Sequence, residues 1–293
     1  MNGALRQKIL PFLVLMVGIM GVSTGSIFAR LADAHPFVKC AYRIGIASLL
    51  VAPFALFLYK DEYRRLTKRD VAFTVLSGAF LAVHFATWIT SLDYTSVASS
   101  VVLVDTIPIW VALINMAFAA QRPSRTMWLC ICLSVAGASI VAYSDSSSSG
   151  SGGLWGDFLA VAGGIAAAAY IVLGGAVRKK LSVVPYTALC YSTAGVLLWI
   201  LVLCMGLEIT GFTNLTWGAF AGSAICAQIL GHSSYNWALG RFSTGFISIA
   251  LLGEPLGSAV IAYFLFGEVP APFASLGIAM LIASIVMAAR DEK

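Results

Sequence analysis

Ten stretches of this 293-residue chain, each about twenty residues long and nearly free of charge, follow one another with only short gaps between them. A helix of that length matches the hydrocarbon core of a bilayer. The stretches cover about 9–29, 36–59, 70–92, 95–119, 124–144, 154–177, 184–206, 215–240, 243–266 and 270–289. Composition agrees: 60% of the residues are hydrophobic and 11% are charged, against roughly 25% charged in soluble domains. With so little polar surface, a chain of this mean hydropathy (+0.92) cannot cover a soluble core. Disorder, fibrous repeats and secreted disulfide scaffolds are excluded on the same ground. The expected fold class is all-α, a polytopic membrane protein of ten transmembrane helices with no room left for a soluble domain.

The gaps carry the punctuation that such a fold requires. Pro36, Pro123, Pro185 and Pro270 lie near helix starts, where a missing N–H costs nothing. Trp128, Trp155 and Trp217 fall in first turns, as interfacial anchors do. Arg6 and Lys8 precede an apolar run that continues to about Ala29, too long for a signal peptide, so it reads as a retained first span. With the N-terminus inside, 15 Lys and Arg fall in cytoplasmic segments and only Arg30 and Lys39 outside. That asymmetry places both termini in the cytoplasm. The net charge of +5 is therefore topological and gives no nucleic-acid face. The six cysteines form no CxxC pair and read as buried small hydrophobes.

Self-similarity runs along the whole chain. Ala138-Ser-Ile-Val141 recurs as Ala283-Ser-Ile-Val286; Pro108 matches Pro255 and Pro123 matches Pro270, both 147 residues apart. Phe12-Leu13 matches Phe158-Leu159, and Gly18-Ile19 matches Gly164-Ile165, both at 146. The expected organisation is a first five-helix repeat over 1–144, a Ser/Gly linker over 145–153 and a second repeat over 154–293. Because five is odd, the second repeat enters the membrane inverted. Inverted repeats characterise many secondary transporters, since exchanging the shapes of the halves yields two oppositely open states.

Polar groups that lipid would not tolerate mark where a substrate sits. In the third span Leu81, His84, Trp88 and Ser91 share one face at helical spacing, and in the eighth Gln228, His232 and Tyr235 or Asn236 do the same. His84 lies ten residues before Tyr94 and His232 ten before Phe242, so the histidines occupy matching places in the two repeats. Thr24 and Tyr170, equivalent at an offset of 146, extend the pattern to spans one and six. The expectation is one central cavity between the repeats, with Gly18, Gly21 and Gly25 forming a small-residue packing face on the first span. Each residue also has a plainer use: an intramembrane His that only bonds a neighbouring helix, or a packing aromatic. Aromatic rings with His, Gln, Asn and hydroxyls suit a neutral or zwitterionic molecule with an apolar or aromatic body. Arg43, Asp105, Glu254 and Asp93 are the ionisable residues at or near membrane depth. Glu254, beside the helix-breaking Pro255, is the candidate proton-coupling group, with pairing to Arg43 or capping of a broken helix as its alternatives.

Gly253-Glu254-Pro255 in the ninth span, Gly267-Glu268 at its end and a Gly-rich tenth span resemble the ten-helix EamA-type branch of the drug/metabolite transporter superfamily. Within that branch the chain is most similar to the bacterial aromatic amino acid exporters. It departs from the pattern in its first half, where Ala120-Gln121 stands in place of Gly-Glu and Asp105 lies three residues before Pro108. The resemblance implies export of aromatic or large neutral amino acids across the bacterial cytoplasmic (inner) membrane. Neither HExxH, GxSxG, a metal-ligand cluster nor a P-loop occurs, so the expectation is a transporter and no enzyme, without cofactor or metal. Its partners are then a small-molecule substrate and the lipid bilayer, with no nucleic acid and a monomer as the simplest assembly. A proton-coupled exporter of cationic drugs or other metabolites, acting through Glu254, is the alternative, and a membrane scaffold without transport the more remote one.

Overall fold

The computed structural model of the chain describes residues 3–91, 93–95, 97–118, 122–145, 153–266 and 274–292. Ala120-Gln121, Gly267-Glu268, Pro270 and most of the Ser/Gly linker lie outside the described residues. Among those described, regular structure is entirely helical. The elements are α1 (Gly3–Leu31), α2 (Pro36–Leu58), α3 (Lys60–Arg64), α4 (Lys68–Ser91), α5 (Val97–Val104), α6 (Ile107–Phe118), α7 (Arg125–Asp145) and α8 (Leu154–Arg178). They continue with α9 (Val183–Cys204), α10 (Asn214–Gly222), a π-helical segment (Ser223–His232), α11 (Ser233–Ala238), α12 (Thr244–Leu251), α13 (Glu254–Phe266) and α14 (Ala274–Asp291). Each of the ten apolar stretches therefore contains helix. Among the described residues, six helices are long and apolar enough to cross a bilayer: Ile9–Leu31, Pro36–Leu58, Lys68–Ser91, Leu154–Arg178, Val183–Cys204 and Ala274–Asp291.

Three stretches are not single α-helices, and each interruption has a local cause. The fourth breaks between α5 and α6 and the ninth between α12 and α13, and in both the second half-helix carries proline at its second residue, Pro108 and Pro255. Proline offers no N–H to the carbonyl four residues back and its ring crowds that carbonyl. The chain tightens there into three-residue turns: Thr106 N–H to Leu103 O at 3.4 Å, Leu252 N–H to Ile249 O at 3.1 Å and Gly253 N–H to Ala250 O at 3.0 Å. In the eighth stretch ten residues wind as π-helix, and the Ser233 N–H reaches back five residues to Gln228 O.

Helix starts are fixed by side-chain caps. Pro36 opens α2 and the His35 ring accepts from Phe37 N–H at 3.2 Å. Ser124 caps α7 through Met127 N–H at 2.9 Å, Thr213 caps α10 through Thr216 N–H at 3.2 Å, and Ser243 caps α12 through Phe246 N–H at 3.1 Å. Such caps satisfy donors that have no partner inside the helix. At two N-cap residues a single carboxylate accepts from both the N–H and the hydroxyl. Glu62 accepts from Ser182 N–H (2.9 Å) and Oγ (2.6 Å) before α9, while Glu292 accepts from the Ser243 N–H and from its Oγ at 2.6 Å.

Contacts divide the chain into two compact units that cut across the sequence halves: Met1–Gly78 with Gly174–Phe242, and Ala79–Leu173 with Ser243–Lys293. In the first unit α2 packs along α9, and α1 along the π-helical segment, around fully buried Ile44, Tyr186, Tyr191, Leu198 and Phe220. In the second, α14 packs along α7 and α12 against α6, around Leu81, Phe85, Phe246, Ile247 and Leu281. The outward faces are apolar: Phe57 is 79%, Phe118 86% and Phe264 78% exposed, as helices meeting lipid require. Cysteine placement departs in part from the expectation. Cys40, Cys130 and Cys190 are buried and Cys226 is half-buried, but Cys132 and Cys204 are exposed on the outward faces of their helices.

Candidate functional site

In the second unit the stripe on α4 is built around one close approach to α8. The His84 Nδ1 lies 3.0 Å from the Gly163 carbonyl oxygen, and its ring stacks on Trp88 with centroids 5.9 Å apart and planes inclined by 9°. Gly163 is what permits this: a Cβ there would come within 3.2–3.3 Å of Thr87 Oγ1, Trp88 Cβ and Trp88 N. The bond to Gly163 orients the imidazole, and the stacked indole is half-buried with its Nε1 enclosed and lacking a hydrogen-bond partner among the described residues. Leu81 is fully buried on the same helix. Ser91 is also fully buried, and its hydroxyl donates to Trp88 O at 2.6 Å and lies 2.6 Å from Ser100 Oγ. Its hydrogen-bonding capacity is thus used in holding α4 to α5. Tyr170, on α8, is buried at 5% exposure.

The same unit contains both acidic residues of the broken helices. Asp105 sits in the break between α5 and α6, with Oδ2 enclosed and lacking a hydrogen-bond partner among the described residues. Glu254 opens α13 at the other break, half-buried, and its charge acts on Asp105. The sequence marks Asp105 as a charge at membrane depth and as a mismatch to the repeat but does not join it to Glu254; the signal that joins the two acids is that each borders a helix break next to a proline.

In the first unit the second stripe is organised around Gln228 and Tyr191. Gln228 is fully buried in the π-helical segment, and its Oε1 accepts from Arg43 Nε at 2.9 Å. Its backbone oxygen receives Tyr191 Oη at 3.5 Å, while Tyr191 Oη accepts from Asn236 Nδ2 at 3.2 Å and lies 3.1 Å from Ser233 Oγ. Asn236 is fully buried and its own carbonyl takes Arg178 Nε at 2.8 Å. Tyr235 is buried, His232 half-buried, and Thr24 donates to Gly21 O at 2.6 Å within α1. The small-residue face of α1 lies against this stretch. A Cβ on Gly21 would stand 2.7 Å from Gly231 N and one on Gly18 3.0 Å from Ser234 Cβ. Arg43 and Tyr191 were missed as parts of this stripe. Arg43 was legible as a membrane-depth charge, but nothing in the sequence joined it to a glutamine 185 residues away.

The structure therefore brings Leu81, His84, Trp88, Ser91, Tyr170 and Glu254 into one unit and Thr24, Gln228, His232, Tyr235 and Asn236 into the other. Two cavities lie elsewhere. One of about 530 Å³ in the first unit is lined by Asp33, His35, Glu208 and Phe212 among others. One of about 310 Å³ in the second is lined by Asn115, Arg122, Ser124, Thr244, Asp291 and Glu292 among others. Neither is lined by a residue of the two stripes.

Comparison with known proteins gives these stripes a context. The model of the EamA-like transporter family matches this chain twice, over residues 9–143 and 154–290. The chain is 23% identical over 307 residues to Uncharacterized transporter YwfM of Bacillus subtilis (strain 168), covering 99% of this chain and 97% of that protein. It is also 23% identical over 259 residues to an uncharacterized transporter of Archaeoglobus fulgidus, covering 88% and 89% of the two chains. A protein of known crystal structure superposes with a TM-score of 0.79 at 15% identity, over 95% of this chain and 96% of the other, which shows a shared fold. With the family model spanning nearly the whole sequence and the apolar helices in place, the chain belongs to the EamA-like transporter family, as a multi-pass membrane transporter of a small-molecule substrate.

Proposed function

We propose that this protein is a secondary transporter that exports small neutral metabolites, aromatic or large neutral amino acids foremost, by alternating access. The observation that carries the substrate class is the His84–Trp88 pair: two parallel rings at 5.9 Å with a half-buried indole whose N–H has no protein acceptor among the described residues. Such a surface offers a flat apolar face and a hydrogen-bond donor at its edge, which suits a molecule with an aromatic body and a polar group. The repeated family match over 9–143 and 154–290 supports two five-span repeats, the second inverted, and with them two exchangeable conformations. The absence of a nucleotide-binding motif from the sequence leaves downhill flux or coupling to an ion gradient as the driving force. In this reading both termini are cytoplasmic, the protein works as a monomer in the bacterial cytoplasmic (inner) membrane, and no cofactor takes part.

The test is flux through purified protein in proteoliposomes. His84→Ala and Trp88→Ala are expected to lower aromatic amino acid flux about tenfold, equal to the loss of about one good contact, with expression and monodispersity unchanged. Unaltered kinetics in both variants would return these residues to packing. A second reading, export of cationic drugs or other metabolites in exchange for protons, is favoured by Glu254 at the break before α13, in the same unit as Asp105 at the other break.

A further inference from the structure

We infer that a basic surface on the first unit binds the phosphodiester headgroups of anionic phospholipids in the leaflet it faces, whichever molecule the protein carries. Two segments build it, residues 60–70 between α2 and the body of α4 and residues 178–182 between α8 and α9. Contacts between the segments make them one surface. Lys180 Nζ lies 3.0 Å from Asp70 Oδ1, Ser182 donates to Glu62, and the Tyr63 hydroxyl donates to Pro185 O at 3.0 Å. Together they hold eight Lys and Arg against three acids, an excess equal to the net charge of the whole chain, +5. In the orientation proposed above this is the cytoplasmic side.

The three acids are engaged within the fold, while most of the bases stay open. Asp61 pairs with Arg64 at 3.2 Å, and Glu62 takes both donors of Ser182. Asp70 accepts from Thr67 N–H at 3.2 Å and from its Oγ1 at 2.6 Å, in the reciprocal capping arrangement that opens α4, and also from Lys180. Lys60, Arg65, Lys68 and Lys179 are exposed and make no ion pair among the described residues. Membrane topology asks only that Lys and Arg collect on this side. It does not ask that the acids among them be covered.

The surface also borders the part of the unit that meets lipid. Exposed Phe57 and Leu58 end α2 just before Lys60, and exposed Val71 and Val75 follow Arg69 on α4. Long basic side chains at such an edge lay their stems along the apolar surface and hold their charges at headgroup height. Arg69 does this, with its guanidinium 5.0 Å from the centre of the Phe73 ring. A phosphodiester at that height meets ammonium and guanidinium donors, and a guanidinium binds phosphate oxygens through paired N–H groups. A choline headgroup brings its own cation and gains less.

The test uses the purified full-length protein in mixed micelles and reads retention of spin-labelled phosphatidylglycerol against spin-labelled phosphatidylcholine. One basic side chain near an anionic surface strengthens attachment about fivefold, so the wild type is expected to prefer phosphatidylglycerol by about fivefold or more at low salt. That preference is expected to shrink at about 0.5 M salt, where charges are screened over about 4 Å. Arg65→Gln/Lys68→Gln/Lys179→Gln is expected to bring it below about twofold, while Arg65→Lys/Lys179→Arg keeps it. Arg122→Gln/Arg125→Gln, which removes charge from the second unit, is expected to keep it as well. The salt series needs no variant, so it decides the matter even where the triple variant fails to fold. Equal retention of the two lipids by the wild type, indifference to salt, or an unchanged preference in a folded triple variant overturns the proposal. An equal loss in Arg122→Gln/Arg125→Gln also overturns it, since the preference then follows net charge. Millimolar inorganic phosphate is expected to leave the lipid bound; displacement would make this a free-anion site and overturn the lipid reading.

Discussion

The contact between α1 and the π-helical segment gives the sharpest quantitative expectation at Gly21, where the atoms that a side chain would meet are backbone. A Cβ at Gly21 would stand 2.7 Å from Gly231 N, 2.8 Å from Cys226 O and 2.8 Å from Gly231 Cα. Comfortable carbon contacts lie at about 3.5–4.0 Å, so Gly21→Ala requires the two segments to move apart by about 0.7–1 Å. Forcing an extra methyl into a packed contact costs about 1–3 kcal/mol. Alanine also gains about 1 kcal/mol over glycine inside a helix, which partly hides the cost. Gly218→Ala removes that ambiguity, since Gly218 lies within α10 and a Cβ there meets nothing within 4 Å. The propensity gain is common to both variants, and their difference isolates the clash. Gly21→Ala should therefore be less stable than Gly218→Ala by about 1–3 kcal/mol, or about 2–12 °C in Tm at about 2–4 °C per kcal/mol for proteins of this size class. The assay is thermal unfolding of the purified variants in one detergent, followed by loss of the monodisperse species. Equal melting temperatures, or a more stable Gly21→Ala, would refute the close approach of α1 to this segment.

Glu254→Gln should leave protein levels unchanged and remove any dependence of flux on an imposed pH gradient; a variant that keeps full gradient dependence excludes Glu254 from coupling. Glu292→Gln weakens the grip on Ser243 N–H and Oγ, and a loss of about 0.5–1 kcal/mol is expected in the same melting assay, comparable with a helix cap; an unchanged Tm would show the contact to be idle. Outside the spans, burial first and Glu62 second push the Tyr63 phenol up to about 12, and its hydroxyl donates to Pro185 O at 3.0 Å. An unfolded tyrosine ionises near 10, so this contribution to stability is complete below that pH and is lost as pH rises from about 10 to 12; in ultraviolet titration the wild type should exceed Tyr63→Phe by one tyrosinate only as pH reaches about 12, and a difference already present near pH 10 would refute the burial of this phenol.

What the sequence revealed follows from how local each cause is. Apolar length and loop charge are properties of single segments, and helix is found in every stretch where they pointed. The break before Pro255 was equally local, because a proline removes its own N–H whatever surrounds it; the one before Pro108 has the same cause, though the sequence reading used that proline only as a match to Pro255. The π-helical winding at Ser223–His232 was not legible: Gly231 and Gln228 have no preference of their own for a five-residue bond, and the contact of Gly231 with Gly21 joins segments far apart in the sequence. Spacing placed His84, Trp88 and Ser91 on one face, but it could not say that Gly163 would orient the imidazole or that Ser91 would turn to Ser100. Arg43 stood out as a charge in an apolar span, while its bond to Gln228 depends on a contact between distant segments. For the same reason the grouping of helices into units that cut across the sequence halves had no local signature.

Whether this protein moves aromatic amino acids is decided by flux through the purified protein in proteoliposomes. Vesicles are loaded with labelled tryptophan, phenylalanine, threonine or a cationic dye, with and without an imposed pH gradient. The account predicts saturable movement of the two aromatic amino acids, inhibited by one another and lowered by His84→Ala and Trp88→Ala. Movement of the dye alone, or of none of the four compounds above empty-vesicle leakage, would contradict it.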